Sequence, residues 1–132
     1  MQIDKYTHEK YFEIIRGWWR KRERSIPDKD HFPPTGFMVS DVDGRNIVAG
    51  FLFKTDANIA IMDFIISDPE PMTPSVRDKA VNFLLSTLVK EAYEGGFKLV
   101  TAATNLPRLG VRYERMGFLK ADSNEVHYGR IL

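Results

Sequence analysis

Two side chains in this sequence have a type and a setting that fit acid–base chemistry, Asp63 and Tyr113. Asp63 interrupts an apolar run, residues 59–66, where an unpaired carboxylate costs several kcal/mol of free energy. It must therefore be paired, hydrogen-bonded or kept neutral, and its structural partner would be an arginine or a backbone N–H group. Tyr113 belongs to an apolar helical stripe, so it is either a core residue or a phenol that donates a proton. The unperturbed pKa of tyrosine is about 10, and a helix dipole or a nearby cation would lower it.

A second pair of residues has the charge to bind an anion. Arg77 and Lys79 lie in the early turns of a helix predicted to start at Pro74. Backbone N–H groups and the dipole at such a helix end favour an anion, phosphate above all. Lone cations there oppose the dipole, and a bound phosphate would remove that conflict. The alternative is that both cations are solvated, with Asp78 nearby.

Composition excludes several other kinds of chemistry. The 132 residues include no cysteine, which excludes a disulfide scaffold, a Cys-ligated zinc site and a thiol nucleophile. The three histidines have no partner at ligand spacing, so we predict no metal site. A formal charge of +1 argues against a nucleic-acid protein, and the basic run 20–24 is more simply a solvated helix end. With no apolar run of roughly 18 residues and no signal peptide, we expect a cytoplasmic protein.

The elements that must position these side chains follow from periodicity and turn signals. Thr7 is a predicted helix N-cap, and Tyr6 and Tyr11 have the spacing of a hydrophobic staple. Asp43-Gly44, between two apolar runs, predicts a hairpin. The run 59–66 is predicted to be a strand buried on both faces. The predicted helices are 8–24, 74–94 and a third that begins after a cap at either Asn105 or Leu106 and ends at Gly117. The predicted strands are 1–5, 37–42, 46–55, 59–66, 97–103, 118–121 and 126–132, the last two joined at Ser123-Asn124.

The order of these elements predicts an α/β fold with a mixed sheet. The strand at 59–66, the helix at 74–94 and the strand at 97–103 form a βαβ unit and hence a parallel pair. The other strands are antiparallel, and helices cover the sheet. Ligands in such sheets bind beyond the carboxyl ends of the parallel strands, where 66–82 and 104–117 converge. A shift of one residue in strand register would turn Asp63 to the opposite face. Residues 1–132 form a single domain.

One motif resembles that of a known family. The segment Tyr113-Glu114-Arg115-Met116-Gly117-Phe118 is similar to the closing motif, commonly L-Y-E-K-L-G-F, of the GCN5-related N-acetyltransferase (GNAT) superfamily. The predicted order of elements also matches that fold, and Asn105 resembles the asparagine often found after the fifth strand. More loosely, W-W-R-K-R and G-F-L-F are similar to short members encoded by tailed phages. The resemblance implies a GNAT-like acyl-CoA N-acyltransferase fold and acetyl-CoA as the cofactor.

The resemblance also implies roles for individual residues. Tyr113 would protonate the departing CoA thiolate, and Asp63 would be the general base. The backbone of Ile65, Ile66 and Ser67 would hydrogen-bond the pantetheine arm and the acetyl group. The family's pyrophosphate loop, Q/R-x-x-G-x-G/A, matches Arg77, Asp78, Lys79, Ala80, Val81 and Asn82, with Ala80 and Asn82 in place of the small residues. Residues lying where relatives shape the acceptor pocket are Trp18, Trp19, His31 and Phe32, with at least one tryptophan expected in the core.

The leading hypothesis is an acetyl-CoA-dependent N-acyltransferase acting on a small-molecule or peptide amine by direct attack in a ternary complex. The main alternative is a catalytically inactive GNAT-fold binding module with a degenerate CoA loop, acting through a protein or nucleic-acid partner. The substitutions at Ala80 and Asn82 favour this alternative, because glycine lets phosphate approach the backbone closely. A third hypothesis is modification of a nucleobase amine. The acceptor and the choice between monomer and homodimer stay open.

Overall fold

A computed structural model describes residues 1–121, 126 and 128–132. Within these residues one sheet has the strand order β1-β2-β3-β4-β5. All neighbouring strands are antiparallel except β4 and β5, which are parallel, so the predicted mixed sheet is confirmed. The elements are β1 (Gln2–Lys5), α1 (His8–Lys21), a 3-10 turn (Lys29–His31), β2 (Thr35–Ser40), β3 (Asn46–Lys54), β4 (Ile59–Ser67), α2 (Pro74–Glu94), β5 (Leu99–Ala102) and α3 (Pro107–Arg115).

Local signals set the start of α1 as the sequence predicts. The Thr7 side chain accepts a hydrogen bond from the Lys10 N–H group at 3.3 Å. The rings of Tyr6 and Tyr11 lie 6.0 Å apart, which is the contact expected of a hydrophobic staple. Between β2 and β3, Asp41 Oδ1 accepts from the N–H groups of the turn, and Gly44 has a φ of +84°. The predicted Asp-Gly hairpin is therefore confirmed.

The sheet has an apolar cluster on each face. Helix α2 packs on one face, where Leu84 and Leu88 are fully buried with Met62 of β4. Helix α1 packs on the other face, which is dominated by aromatic side chains. Strand β4 is not buried on both faces, contrary to the prediction, because no described element covers Ile61 and Asp63 on the α1 side. Ile61 is 38% exposed, and Asp63 is also exposed.

The end of the chain differs from the prediction. Residues 118–121 contain no strand, and the described residues 126 and 128–132 contain none either. Phe118 instead completes the end of α3, since its N–H group bonds to the Tyr113 carbonyl at 3.0 Å and Gly117 has a φ of +91°. The predicted Ser123-Asn124 turn lies outside the described residues. No helix in the described part of the chain is long and apolar enough to cross a membrane.

Candidate active site

Strands β4 and β5 separate at the carboxyl end of the parallel pair. Their pairing runs from Ile59 opposite Leu99 to Met62 opposite Ala102. Strand β5 then ends, whereas β4 continues to Ser67. The separation leaves the edge of β4 beyond Met62 without a β5 partner, so its backbone groups are available to a ligand.

A bulge in β4 accompanies this separation. The β3–β4 register shifts between Ala49 and Phe51, and Phe64 has a φ of +54°. A left-handed conformation costs a residue with a side chain roughly 1–2 kcal/mol, and such strain is concentrated at functional sites. The Phe64 ring packs against Phe32, 5.1 Å away, and Phe53, 5.5 Å away. These contacts hold the strained residue and fix the path of β4 at the gap.

The gap contains a cavity of about 260 Å³. It is open between the strands and is not filled by side chains. Its walls come from the end of α1, the β4 bulge, the segment after β5 and α3. The lining residues are Trp19, Arg24, Ser25, Pro27, Met62, Asp63, Phe64, Ile65, Ala103, Thr104, Asn105, Leu106, Leu109 and Tyr113.

Tyr113 lines this cavity from α3. Its side chain is only 6% exposed, and its ring centroid lies 5.3 Å from that of Phe118. Burial, followed by the charge of Asp63, raises the pKa of Tyr113 to about 12. The expectation that a dipole or a cation lowers this pKa is therefore wrong, because the neighbouring charge is a carboxylate and the ring is desolvated. Tyr113 is a neutral phenol at physiological pH.

Asp63 lines the same cavity from the β4 bulge. Its Oδ1 atom accepts a hydrogen bond from the Phe64 N–H group at 2.7 Å, so a backbone donor holds the carboxylate. The side chain is exposed, which removes the cost of burial that the apolar run suggested. The structure thus brings Asp63 and Tyr113 together at one cavity, where the charge of Asp63 acts on the phenol of Tyr113.

The segment that matches the family's pyrophosphate loop is not a loop. Residues 77–82 lie inside α2, which begins at Pro74, so the N–H groups of 78–82 bond within the helix. Ala80 is fully buried and Val81 is 7% exposed, both in the cluster under the sheet. A glycine-lined cradle for phosphate is therefore absent from this segment, because the Thr73-Pro74 helix start lies three residues before Arg77.

The polar residues of this segment hold α3 against α2. Asp78 forms an ion pair with Arg112 of α3, and the Arg112 guanidinium also lies 3.5 Å from Asn82 Oδ1. Lys79 is exposed. The side chains of Asp78 and Asn82 thus serve the packing of the helix that carries Tyr113.

Arg77 turns back from α2 to the end of β4. It donates to Ser67 Oγ at 3.0 Å, to the Asp68 carbonyl at 2.7 Å and to the Glu70 carbonyl at 3.0 Å. Of the other predicted cofactor residues, Ile65 and Asn105 line the cavity. Ile66 is 3% exposed and packs in the aromatic cluster on the α1 side.

Only one of the four predicted acceptor-pocket residues reaches the cavity. Trp19 lines it, although Trp18 and Trp19 are equally buried, 6% and 5% exposed, and both belong to the core on the α1 face. Phe32 packs among Tyr6, Trp19 and other aromatic rings. His31 is exposed in the 3-10 turn and does not line the cavity.

Sequence reasoning missed Arg22, which it grouped with the solvated end of α1. The helix ends with Glu23 in a left-handed conformation, φ +54°, and with the Arg24 N–H group bonded to the Trp19 carbonyl at 3.1 Å. This ending directs Arg22 to β4, where it donates to the Ser67 carbonyl at 3.2 and 3.3 Å and to Ser67 Oγ at 3.1 Å. Glutamate is not a typical residue for this ending, so no local signal indicates the contact.

Comparison with known proteins gives a fold but no sequence relative. A scan against protein-family models finds no match, and a search of curated proteins finds no matching sequence.

Solved structures give a different result. An acetyltransferase from Trypanosoma brucei is 12% identical, with a TM-score of 0.67 over 98% of this chain and 99% of that chain. Glucosamine-6-phosphate N-acetyltransferase from Arabidopsis thaliana is 10% identical, with a TM-score of 0.67 over 96% and 97%. An aminoglycoside acetyltransferase from an uncultured soil metagenomic sample is 17% identical, with a TM-score of 0.62 over 99% and 95%. The chain therefore has the fold of the GNAT acetyltransferases, as the Tyr113–Phe118 motif and the order of elements predicted.

Proposed function

We propose that this protein is an acyl-CoA-dependent N-acyltransferase that moves an acetyl group from acetyl-CoA to a primary amine. The observation that carries the proposal is the cavity between β4 and β5, which both Asp63 and Tyr113 line. This cavity lies beyond the carboxyl ends of a parallel strand pair, where open α/β sheets bind ligands. The likeness to acetyltransferase structures supports the same reaction class.

The residues at the gap fit an extended thioester carrier. Beyond Met62, β4 has no β5 partner, so its backbone can hydrogen-bond an amide-containing chain such as the pantetheine arm. Ile65 and Asn105 line the cavity beside this edge, and Arg77 lies at the end of the strand. Bound acetyl-CoA supplies the activated acyl group as a thioester. The residues along β4 therefore fit acetyl-CoA well. The segment that aligns with the family's phosphate loop fits it poorly, because this segment is helical in this chain.

Asp63 binds the acceptor amine and removes its proton. Its carboxylate attracts an ammonium group, and its Oδ2 atom stays available because the Phe64 N–H group bonds to Oδ1. An amine must lose a proton before it attacks a carbonyl carbon, so Asp63 takes that proton directly or through a water molecule. The backbone bond to Phe64 keeps the carboxylate at the cavity wall throughout.

Tyr113 acts on the opposite side of the reacting centre. A thiol has an unperturbed pKa of about 8.5, whereas the pKa of Tyr113 is raised to about 12. Complete proton transfer from this phenol to a thiolate is therefore unfavourable. Tyr113 instead donates a hydrogen bond that stabilises negative charge as it develops on the leaving sulfur, which is worth most where water is excluded.

Calorimetric titration with acetyl-CoA, followed by a thiol-release assay with a panel of primary amines, tests the proposal. We expect saturable binding that free CoA displaces, and a turnover that depends on the amine. Asp63→Asn should lower the rate while leaving the affinity for acetyl-CoA unchanged, and Asp43→Asn, in the exposed β2–β3 turn, is the matched control. An absence of acetyl-CoA binding at millimolar concentration contradicts the proposal.

One observation favours a second candidate, a binding module of the same fold without catalysis. The helical segment 77–82 and the buried Ala80 remove the backbone cradle that the family's cofactor loop supplies. A protein of this kind would fold normally, bind no acyl-CoA and copurify with a protein or nucleic-acid partner. The calorimetric titration separates the two candidates.

A further inference from the structure

Four cationic side chains gather around residues 67–71, between β4 and α2. Two of them have carboxylate partners. Arg45 donates to Asp68 Oδ2 at 3.0 and 3.2 Å, and Lys21 lies 2.9 Å from Glu70 Oε1. These two cations are therefore neutralised locally.

The other two cations, Arg22 and Arg77, have only neutral partners at this place. Both donate to the same oxygen, Ser67 Oγ, at 3.1 and 3.0 Å, and their remaining contacts are backbone carbonyls of residues 67, 68 and 70. Among residues 1–121, 126 and 128–132, no carboxylate lies within ion-pair distance of either guanidinium. Partial burial, and then the charges of Arg77 and Arg24, lower the pKa of Arg22, while the charge of Asp68 acts in the opposite direction.

The backbone at this place offers little to an anion. Pro74, the first residue of α2, has no N–H group. The N–H groups of Val76 and Arg77 both bond to the Thr73 carbonyl, at 3.0 and 3.2 Å. In this first turn only Ser75 keeps a free N–H group, so an anion at the end of β4 must be bound mainly by side chains.

We propose that Arg22 and Arg77 form a two-arginine site for a phosphate-type dianion, in which guanidinium groups replace the backbone cradle that α2 lacks. Two adjacent guanidinium groups match the charge of a dianion and bind its oxygens in bidentate fashion. Ser67 holds both groups in place before a ligand arrives, which reduces the entropy lost on binding. Because Arg22 belongs to the end of α1 and Arg77 to α2, the dianion would join these helices across the end of β4.

The identity of the ligand rests on the proposed function, which makes the pyrophosphate of the acyl donor the first candidate. A phosphate group on the acceptor has the same chemistry. Inorganic pyrophosphate is therefore the first probe, since it tests the arginine pair without the rest of either substrate. Competition between pyrophosphate and acetyl-CoA assigns the site to the donor, whereas independent binding of the two assigns it to the acceptor.

Arg22→Met tests the site, because Arg22 is exposed and its replacement leaves the core intact. Arg20→Met, an exposed arginine of the same helix, is the matched control, and Arg22→Lys restores the charge without the bidentate geometry. We expect Arg22→Met to weaken pyrophosphate binding at least tenfold, Arg22→Lys to weaken it less, and the control to leave it unchanged. Thermal unfolding of each variant shows that it is folded, and Arg22→Met alone should lose a little stability with its bonds to Ser67.

A comparison of two donors separates this proposal from the proposed function. If the donor's pyrophosphate is the ligand, Arg22→Met weakens acetyl-CoA binding at least tenfold and leaves S-acetylpantetheine binding unchanged. If the wild type binds acetyl-CoA and Arg22→Met binds both acetyl-CoA and pyrophosphate equally well, the arginine site is refuted and the proposed function stands. If the wild type binds pyrophosphate through Arg22 but not acetyl-CoA, the proposed function fails and the anion site stands.

Discussion

Replacing Tyr113 with phenylalanine should protect the protein against part of its loss of stability at alkaline pH. The pKa of Tyr113 is raised from 10.0 to about 12 in the folded chain, and we take about 10 for the unfolded chain. Between these values the folded protein keeps a proton that the unfolded chain releases. The free energy of unfolding therefore falls as pH rises.

The size of the effect follows from the shift. Below pH 10 the contribution of Tyr113 to the free energy of unfolding is fully present, and this contribution is lost as the pH rises through about 12. Each pKa unit corresponds to about 1.4 kcal/mol, so two units give a total loss of about 3 kcal/mol, of which about half has occurred at pH 11. Tyr113→Phe has no group that titrates here and should keep this part of its stability.

Urea unfolding at pH 8 and pH 11 measures the effect for the wild type, Tyr113→Phe and Tyr93→Phe. Tyr93 is 80% exposed and serves as the control, so its variant should lose as much stability as the wild type. Burial also raises the pKa of Tyr6, but this contribution is common to all three proteins. If all three proteins lose the same free energy of unfolding between pH 8 and pH 11, the Tyr113 phenol is not buried. The described position of Tyr113 in the cavity wall would then be wrong.

Two further substitutions test other parts of the structure, and Tyr113→Phe also tests the proposed reaction. Glu23→Gly removes the left-handed strain at the end of α1 and should raise the free energy of unfolding by about 0.5–1 kcal/mol; a lower value in urea unfolding contradicts the described helix ending. Gly50→Ala would place a Cβ atom 2.5 Å from Ile65 Cδ1 and should cost about 1–3 kcal/mol, measured in the same way; no loss means that β4 is packed differently at its bulge. In the proposed reaction, Tyr113→Phe should lower kcat about 100-fold with little change in the KM for acetyl-CoA, and an unchanged kcat removes Tyr113 from its role.

Local patterns were sufficient to predict most of the elements. The Thr7 cap and the Asp-Gly turn depend on residues close in sequence, and the parallel pair of the βαβ unit follows from the order strand, helix, strand; all three are confirmed. The Thr73-Pro74 signal also correctly predicted the start of α2. That start is what places 77–82 inside a helix, so the local signal was a better guide to this segment than the family's loop pattern.

Features that depend on distant contacts could not be predicted. Arg22 and Ser67 are 45 residues apart, and their contact depends on a helix ending that glutamate does not signal. The left-handed Phe64 is held by aromatic rings from other elements, so periodicity alone could not reveal the bulge. The sequence analysis predicted a strand at 118–121, but Phe118 is used to end α3 and to pack against Tyr113.

A crystal structure of the protein grown or soaked with saturating CoA tests the central claim most directly. We expect the pantetheine arm to lie along β4 beyond Met62, with the sulfur in the cavity that Asp63 and Tyr113 line. A gap between β4 and β5 that stays free of CoA at saturation, or that side chains close, would contradict the account.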